Sequence, residues 1–191
     1  KKHTFGQKEL RFLAYLVFFY YLCTKFKSMK KLIGREREIQ ELERCLASNQ
    51  SEFVIVYGRR RVGKTFLVDE YFKHSYDFSF VGGHNLSIKK QLRNFAKAIK
   101  RYAKLPKLPK SEDWSEAFDA LTDLIESISE DRKKVIFIDE MPWIDTPHSD
   151  FVEEFENFWN GWAARRRDIL LLASGSATSW MMDNLIENQG G

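Results

Sequence analysis

The segment from Gly58 to Thr65 carries the clearest chemistry in the sequence, because GRRRVGKT fits the pattern G-x-x-x-x-G-K-[ST] of a phosphate-binding loop. Gly58 and Gly63 let the backbone bend so that successive N–H groups converge on an anion. Lys64 has the length and charge to reach the β- and γ-phosphates of a nucleotide, and the Thr65 hydroxyl can hold Mg²⁺. The loop therefore predicts a site for a nucleoside triphosphate and Mg²⁺.

The residues on either side of this loop predict the strand and the helix that such a loop needs. The apolar run Phe53–Tyr57 precedes the loop and predicts a strand. The helix predicted after it would add the positive end of its dipole to the phosphate site, and its apolar residues at helical spacing are Phe66, Leu67, Val68, Tyr71 and Phe72. A chance match to the loop pattern would rarely have both neighbours in place, so the flanks favour a functional loop.

A pair of acidic residues follows a second apolar run, Val135–Ile138. Four apolar residues and then two acids are typical of a central parallel strand that ends at a phosphate site. Asp139 is then placed to hold Mg²⁺ directly or through water, and Glu140 to polarise a water molecule for attack on the γ-phosphate. An acidic pair after a strand is common by itself. It indicates a metal and water site here because the phosphate-binding loop is also present.

Two serines follow a third apolar run, Ile169–Ala173, in the sequence Ser174-Gly175-Ser176. Either hydroxyl could orient the attacking water or touch the γ-phosphate. An ordinary polar turn explains the two serines equally well.

Predicted strands alternate with predicted helices along the chain, which indicates an α/β fold with a mainly parallel sheet and helices on both faces. The strands are Phe53–Tyr57, Tyr76–Val81, Val135–Ile138 and Ile169–Ala173. In such sheets ligands bind at the carboxyl ends of the strands, where the loop, the acidic pair and the serines all fall. A helix before the first strand is a candidate to lie over the base of the nucleotide, and Asp113 with Glu116 predicts a capping box for a later helix.

The basic residues are unevenly distributed. The net charge is +4, but residues 1–31 alone contribute +7, so the remaining chain is slightly acidic. A helix predicted from Ile88 to Ala103 and the connector after it hold no acidic residue up to Lys110. This basic face could be a nucleic-acid patch or a solvated helix face, and we favour the solvated face because no aromatic residues are interleaved on it.

Residues 1–28 differ in character from the rest and are expected to lie outside a domain spanning residues 29–191. Their apolar run, Phe12–Cys23, is too short to cross a bilayer, for which about 20 residues are needed. Met29 is the natural start of the domain, with a membrane-surface anchor as the alternative. Cys23 and Cys45 lack metal or disulfide spacing, so a reducing, cytoplasmic location is the simple interpretation.

Four segments together resemble the archaeal-type ATPase family, a branch of the STAND/AAA-like P-loop NTPases: IGREREIQELE, YGRRRVGKTFLV, VIFIDEMPWID and LLASGSATSWM. The resemblance runs from Met29 to Gly191. It implies ATP and Mg²⁺ as ligands, with Thr65 and Asp139 at the metal, and Lys64, Glu140 and Ser176 in catalysis. Ser176 matches the sensor position best and Ser174 second. The implied nucleotide contacts are Ile33, Gly34, Arg35, Gly58, Arg59, Arg60, Arg61, Val62, Gly63, Lys64, Thr65 and Phe66.

The same resemblance implies that the last strand lies between the loop strand and the acidic strand. It also implies a fifth strand and a helical lid after Gly191, which we expect to be missing here, so the loop strand is expected to be an open edge prone to self-association. Two functions remain open. One is slow hydrolysis of ATP, favoured by the presence of Glu140, and the other is a nucleotide-gated module that acts on DNA or a protein partner. A non-functional fragment is a third alternative.

Overall fold

The computed structural model describes residues 32–186 and contains one parallel sheet. The strands are β1 (Glu52–Tyr57), β2 (Phe78–Val81), β3 (Lys134–Asp139) and β4 (Ile169–Gly175). Their order in the sheet is β1-β4-β3-β2, with every pair parallel. The expected position of the last strand, between the loop strand and the acidic strand, is therefore confirmed. Among the described strands, β1 is also an edge, as expected.

Helices connect these strands in alternation. The long ones are α1 (Glu36–Ala47), α2 (Lys64–Phe72), α3 (Ile88–Tyr102), α4 (Trp114–Glu126) and α5 (Phe151–Gly161). Short 3₁₀ turns follow β3 (Met141–Trp143) and α5 (Ala163–Arg165). After β4 comes a single helical turn, α6 (Thr178–Met181), which continues into a π turn (Met182–Ile186).

The sheet separates two hydrophobic clusters, because side chains point alternately to its two faces. On β3, Ile136 and Ile138 pack into the cluster that contains α3, α4 and α5, whereas Val135 and Phe137 pack into the cluster that contains α1 and α2. The first cluster is rich in aromatic rings, among them the fully buried Trp114. The three-layer α/β architecture predicted from the sequence is confirmed.

Two local features differ from the sequence-based expectations. Strand β2 begins at Phe78 rather than Tyr76, because the Tyr76 side chain instead packs beside α2 and its hydroxyl donates to Asp69 Oδ1 at 2.7 Å.

Only half of the predicted capping box forms. Asp113 Oδ1 accepts from the Glu116 amide at 2.9 Å, but the Glu116 carboxylate accepts from the Glu112 amide, one residue before the expected donor.

No helix within residues 32–186 is long and apolar enough to cross a membrane. The apolar run Phe12–Cys23 and the expected domain boundary at Met29 lie outside the described residues.

An ion-paired cluster anchors the amino ends of β3 and β4. Asp168 accepts from Lys134 Nζ at 2.9 Å and from the Arg166 guanidinium at 2.8 Å, and Lys134 Nζ also donates to the Glu130 carbonyl. Arg166, and secondly Lys134, hold the pKa of the Asp168 carboxyl well below its usual range, although burial acts in the opposite direction. Because the ionised form is favoured in the folded protein, the cluster stabilises the fold at neutral pH.

We expect Asp168→Asn to lower the free energy of unfolding at pH 7 by about 2 kcal/mol, since the buried Lys134 loses its charged partner. The wild-type contribution is present above pH ~4 and is lost as the pH falls through the lowered pKa of Asp168. The stabilities of wild type and variant should therefore converge in acid. Urea unfolding at several pH values measures this, with the exposed Asp131→Asn as control. Equal stabilities of wild type and Asp168→Asn at pH 7 would contradict the expectation.

Candidate functional site

The three motifs found in the sequence meet at the carboxyl edge of the sheet. The strand register sets Tyr57 of β1 beside Gly175 of β4, and Ile138 of β3 beside Ala173 of β4. The phosphate-binding loop, the acidic pair and the two serines therefore lie at the carboxyl ends of β1, β3 and β4, and β4 is the direct neighbour of the other two strands. This edge is where ligands bind in open α/β sheets.

The Asp139 carboxylate lies at the centre of this edge and is almost fully buried. Its Oδ2 accepts from Thr65 Oγ1 at 2.9 Å, and its Oδ1 accepts from the Glu140 amide at 2.9 Å and from the Ser174 hydroxyl. Thr65 and Asp139 thus present two hard oxygen atoms side by side, which is the donor chemistry that Mg²⁺ prefers. The residues present fit the predicted metal ion.

The phosphate-binding loop runs from the end of β1 into α2. Gly63 stands before the helix with a positive φ of 82°, a conformation that glycine adopts easily. Lys64 Nζ donates to the carbonyl oxygens of Gly58 and Arg59 at 3.0 and 3.1 Å. The ammonium group therefore lies at the mouth of the loop, above the N-terminus of α2, where an anionic group would bind.

Glu140 and the two serines occupy distinct places. Ser176 Oγ donates to Glu140 Oε2 at 3.2 Å, while Ser174 is fully buried and bonds to Asp139. Arg60 of the loop completes the group, since its Nε donates to Ser176 Oγ at 3.4 Å. Glu140 itself has a left-handed backbone with φ of 48°. The two serines that the sequence left as alternatives therefore contact different carboxylates.

Arg35 connects the segment before α1 to the loop, because its Nη2 donates to the Val62 carbonyl at 2.7 Å. Beside this contact, a cavity of about 360 Å³ lies between α1 and β1, and its lining includes Arg35, Leu42, Val56, Tyr57, Val62 and Lys64. A mostly apolar cavity next to Lys64 suits the flat face of a nucleobase. Ile33 and Phe66 do not line the cavity and are largely exposed, so these two predicted nucleotide contacts lie outside it.

Gln91 is a buried polar residue whose role the sequence analysis missed. Its carboxamide donates to the carbonyls of Gly83 and Trp143 at 2.8 and 2.6 Å, and accepts from the Gly83 amide at 3.1 Å. It thereby joins the loop after β2 to the turn that follows Glu140. The signal was available, because Gln91 is a polar residue on the face of α3 that buries Ile88 and Phe95.

A second hydrogen bond holds the turn that follows Glu140. Trp180 Nε1 donates to Asp145 Oδ2 at 2.8 Å, which links the residues after Glu140 to the helical turn after β4. In addition, the Arg60 guanidinium lies 5.6 Å from the centre of the Trp143 ring. The segment that carries Glu140 is thus connected to α3, to α6 and to the phosphate-binding loop.

The profile of an ATPase domain family found predominantly in Archaea matches residues 32–190, which is most of the chain. The chain belongs to this ATPase family. Its membership agrees with the resemblance drawn from the four sequence segments and supports nucleotide binding as the general activity of the domain.

Two proteins of Methanocaldococcus jannaschii are similar in sequence to this ATPase domain. An uncharacterised protein is 36% identical over 113 residues, covering 58% of this chain and 22% of its own length. An uncharacterised ATP-binding protein is 40% identical over 42 residues, covering 22% of this chain and 71% of its own length. The chain therefore spans only a small part of the first relative.

Two solved structures share the fold of this ATPase domain. The Walker-type ATPase PABY2304 of Pyrococcus abyssi has a TM-score of 0.55 at 18% identity, over 82% of this chain and 49% of its own. Cdc6p of Pyrobaculum aerophilum has a TM-score of 0.57 at 16% identity, over 83% of this chain and 43% of its own. The chain spans less than half the length of either protein, and identities this low establish the fold alone.

We expect Gln91→Met to destabilise the domain by about 2 kcal/mol or more, because three backbone groups lose their hydrogen-bond partner while the packed volume is kept. Amide hydrogen exchange should also speed up in the loop after β2 and in the turn after Glu140. Gln40→Met, at an exposed position of α1, is the matched control. Unchanged exchange in both segments would show that the Gln91 carboxamide does not hold them.

Proposed function

We propose that this domain binds ATP with Mg²⁺ and hydrolyses it slowly. The observation that carries the proposal is the convergence of Thr65, Asp139, Glu140 and Ser176 beside the phosphate-binding loop, at one edge of the sheet. Each of these residues offers an oxygen atom, and Lys64 supplies a positive charge. This combination is suited to holding a triphosphate and a metal ion and to directing water at the terminal phosphate.

In this proposal the loop residues from Gly58 to Phe66 bind the phosphates, and Arg35 with the cavity between α1 and β1 receives the base. Lys64 contacts the β- and γ-phosphates, and its present bonds to the Gly58 and Arg59 carbonyls would be exchanged for phosphate oxygens. Thr65 and Asp139 would hold Mg²⁺, which when bound supplies charge neutralisation at the phosphates.

Glu140 is the proposed general base, and Ser176 the residue that keeps its carboxylate in place. Arg60, one hydroxyl away from Glu140, supplies a cation from the same chain that can face the γ-phosphate. We propose slow turnover because the phosphate-binding loop is open to solvent. Its residues Arg59, Arg60 and Arg61 are all exposed within the described part of the chain. An accessible site of this kind does not exclude water, and exclusion of water is what strengthens charge stabilisation during phosphoryl transfer.

The finer features of the assignment are proposals of the same kind. They are membership of the STAND branch, a domain from residue 29 to 191 with residues 1–28 outside it, a cytoplasmic location, and self-association through the edge of β1. The second candidate function is a nucleotide-gated module that acts on DNA or a protein. The contact between Arg60 and Trp143 favours it, because that contact connects the phosphate-binding loop to a surface outside the nucleotide site.

Lys64→Ala should lower the affinity for Mg²⁺–ATP by about 2–3 kcal/mol, because a charge-assisted phosphate contact is lost. Isothermal titration calorimetry with a non-hydrolysable ATP analogue measures the affinity directly. Lys73→Ala, just past the other end of α2, removes the same charge away from the loop and should bind like wild type. Equal affinities for wild type and Lys64→Ala would rule out the proposed phosphate contact.

Glu140→Gln should keep ATP binding but reduce turnover by about 10²–10⁴-fold, since an amide cannot accept the proton of the attacking water. Phosphate release measures turnover, and calorimetry confirms that binding is retained. The exposed Glu153→Gln on α5 controls for the loss of a carboxylate. If phosphate release by Glu140→Gln equals that of wild type, Glu140 is not the base.

A further inference from the structure

A second, larger cavity lies beside the carboxyl ends of β2 and β3, between the loop that follows β2 and the turn that follows Glu140. Its volume is about 740 Å³, and it shares no lining residue with the cavity between α1 and β1. The lining residues used below are His84, Asn85, Lys89, Trp143, Asp145 and Thr146. The ATP site proposed above makes no use of this cavity.

Two aromatic rings form one wall of this second cavity. The His84 and Trp143 rings lie 5.0 Å apart, centre to centre, and are inclined at 66°. Arg60 also lies over the Trp143 ring, at 5.6 Å. A tryptophan with a cation over its ring and a second aromatic ring packed at an angle beside it offers a stacking surface for another flat, aromatic group.

The polar groups of the second cavity suit the edge of a base better than a phosphate. Asp145 carries a negative charge, and among residues 32–186 only its Oδ2 accepts a hydrogen bond, from Trp180. The Thr146 hydroxyl is buried and has no hydrogen-bond partner among residues 32–186. Carboxylate, amide and hydroxyl groups pair with the amino and carbonyl groups of bases. The Asp145 charge would repel a phosphate, so phosphates must lie outside the cavity.

A row of basic side chains begins at the rim of this cavity and follows α3. Lys89 lines the cavity, and Arg93, Lys97 and Arg101 follow at intervals of four residues, which places them on one face of the helix. All four are exposed, and none pairs with a carboxylate among the described residues, although Arg101 donates to the Ser79 carbonyl and lies over the Tyr102 ring. This basic row extends for about 18 Å along the helix. Lys90 on the same helix and Lys104, Lys107 and Lys110 in the segment after it are further exposed basic residues.

We propose that the second cavity and the basic row together bind single-stranded nucleic acid, with one unpaired base stacked on Trp143 and the phosphates along α3. The combination of a stacking surface and a positively charged track is typical of sites that bind single strands without strong sequence preference. A duplex fits less well, because its bases are already paired and stacked. The inference names a partner for the second candidate function, but the binding itself requires no ATP.

The test uses the full chain without nucleotide and fluorescence anisotropy of a labelled oligothymidine of roughly 16 residues. We expect binding that weakens about 10- to 100-fold between about 50 and about 200 mM salt, as phosphate contacts require. A duplex of the same length should bind at least about fivefold more weakly. Since ATP is absent, failure here leaves the proposed ATPase activity standing, and failure of that activity leaves this result standing.

Two sets of variants separate charge from stacking. Arg93→Glu/Lys97→Glu should weaken single-strand binding at least about tenfold. Arg165→Glu/Arg167→Glu, an equal charge change after α5 at the other end of the sheet, should have little effect. Trp143→Ala should weaken single-strand binding about 5- to 100-fold while leaving duplex binding unchanged. His84→Ala, at an exposed position, should act in the same direction if Trp143→Ala does not fold.

Several outcomes would overturn the inference. One is no binding of the oligonucleotide at about 100 µM protein in low salt. Another is equal affinity for single strand and duplex with neither His84→Ala nor Trp143→Ala discriminating between them, which would mean a general polyanion surface. A third is binding to vesicles of anionic lipid but not to the oligonucleotide. The fourth is concentration-dependent self-association abolished by Arg93→Glu/Lys97→Glu without nucleic-acid binding, which would assign the basic row to the acidic face of a second copy.

Discussion

The buried Asp139 carboxylate is the group on which the arrangement of the site depends. A charge with so little exposure is tolerated only when hydrogen-bond donors surround it. Here the donors come from Thr65 at the start of α2, from Ser174 at the end of β4, and from the backbone that leaves β3. One carboxylate therefore holds the phosphate-loop helix and the ends of β3 and β4 against each other.

A second polar cluster at the opposite end of the same two strands complements this constraint. Lys134 and Asp168 pair where β3 and β4 begin, and Asp139 bonds to Ser174 where they end. Between these points both strands are apolar and buried. A shift in the strand register would carry charged groups into the apolar layer without partners, at a cost of several kcal/mol. The two clusters thus select a single register of β3 against β4. The apolar residues between them stabilise the pair but do not specify that register.

The sequence predicted those features that depend on local patterns. The strand and the helix around the phosphate-binding loop, and the acidic residues after Ile138, follow from short-range periodicity and composition. The position of β4 in the sheet came from family resemblance, since periodicity carries no information on strand order. The pattern of α3 could have shown that Gln91 is buried, but its partners and the contact of Arg60 with Trp143 could not be foreseen, because they join segments far apart in the chain. The same holds for Tyr76, whose packing beside α2 delays the start of β2.

Within the part of the chain that the structure describes, every hydrogen bond of the Gln91 side chain is to the main chain, at Gly83 and Trp143. The separation of the two loops therefore does not depend on the side chains at the surface positions after Gly83, although a side chain at Gly83 itself would clash with Leu86. Related proteins can then diverge at the neighbouring surface positions, His84 and Asn85 among them, while inheriting the same spacing. Because Gln91 binds only main-chain atoms, the binding specificity of this surface can evolve separately from its position in the fold.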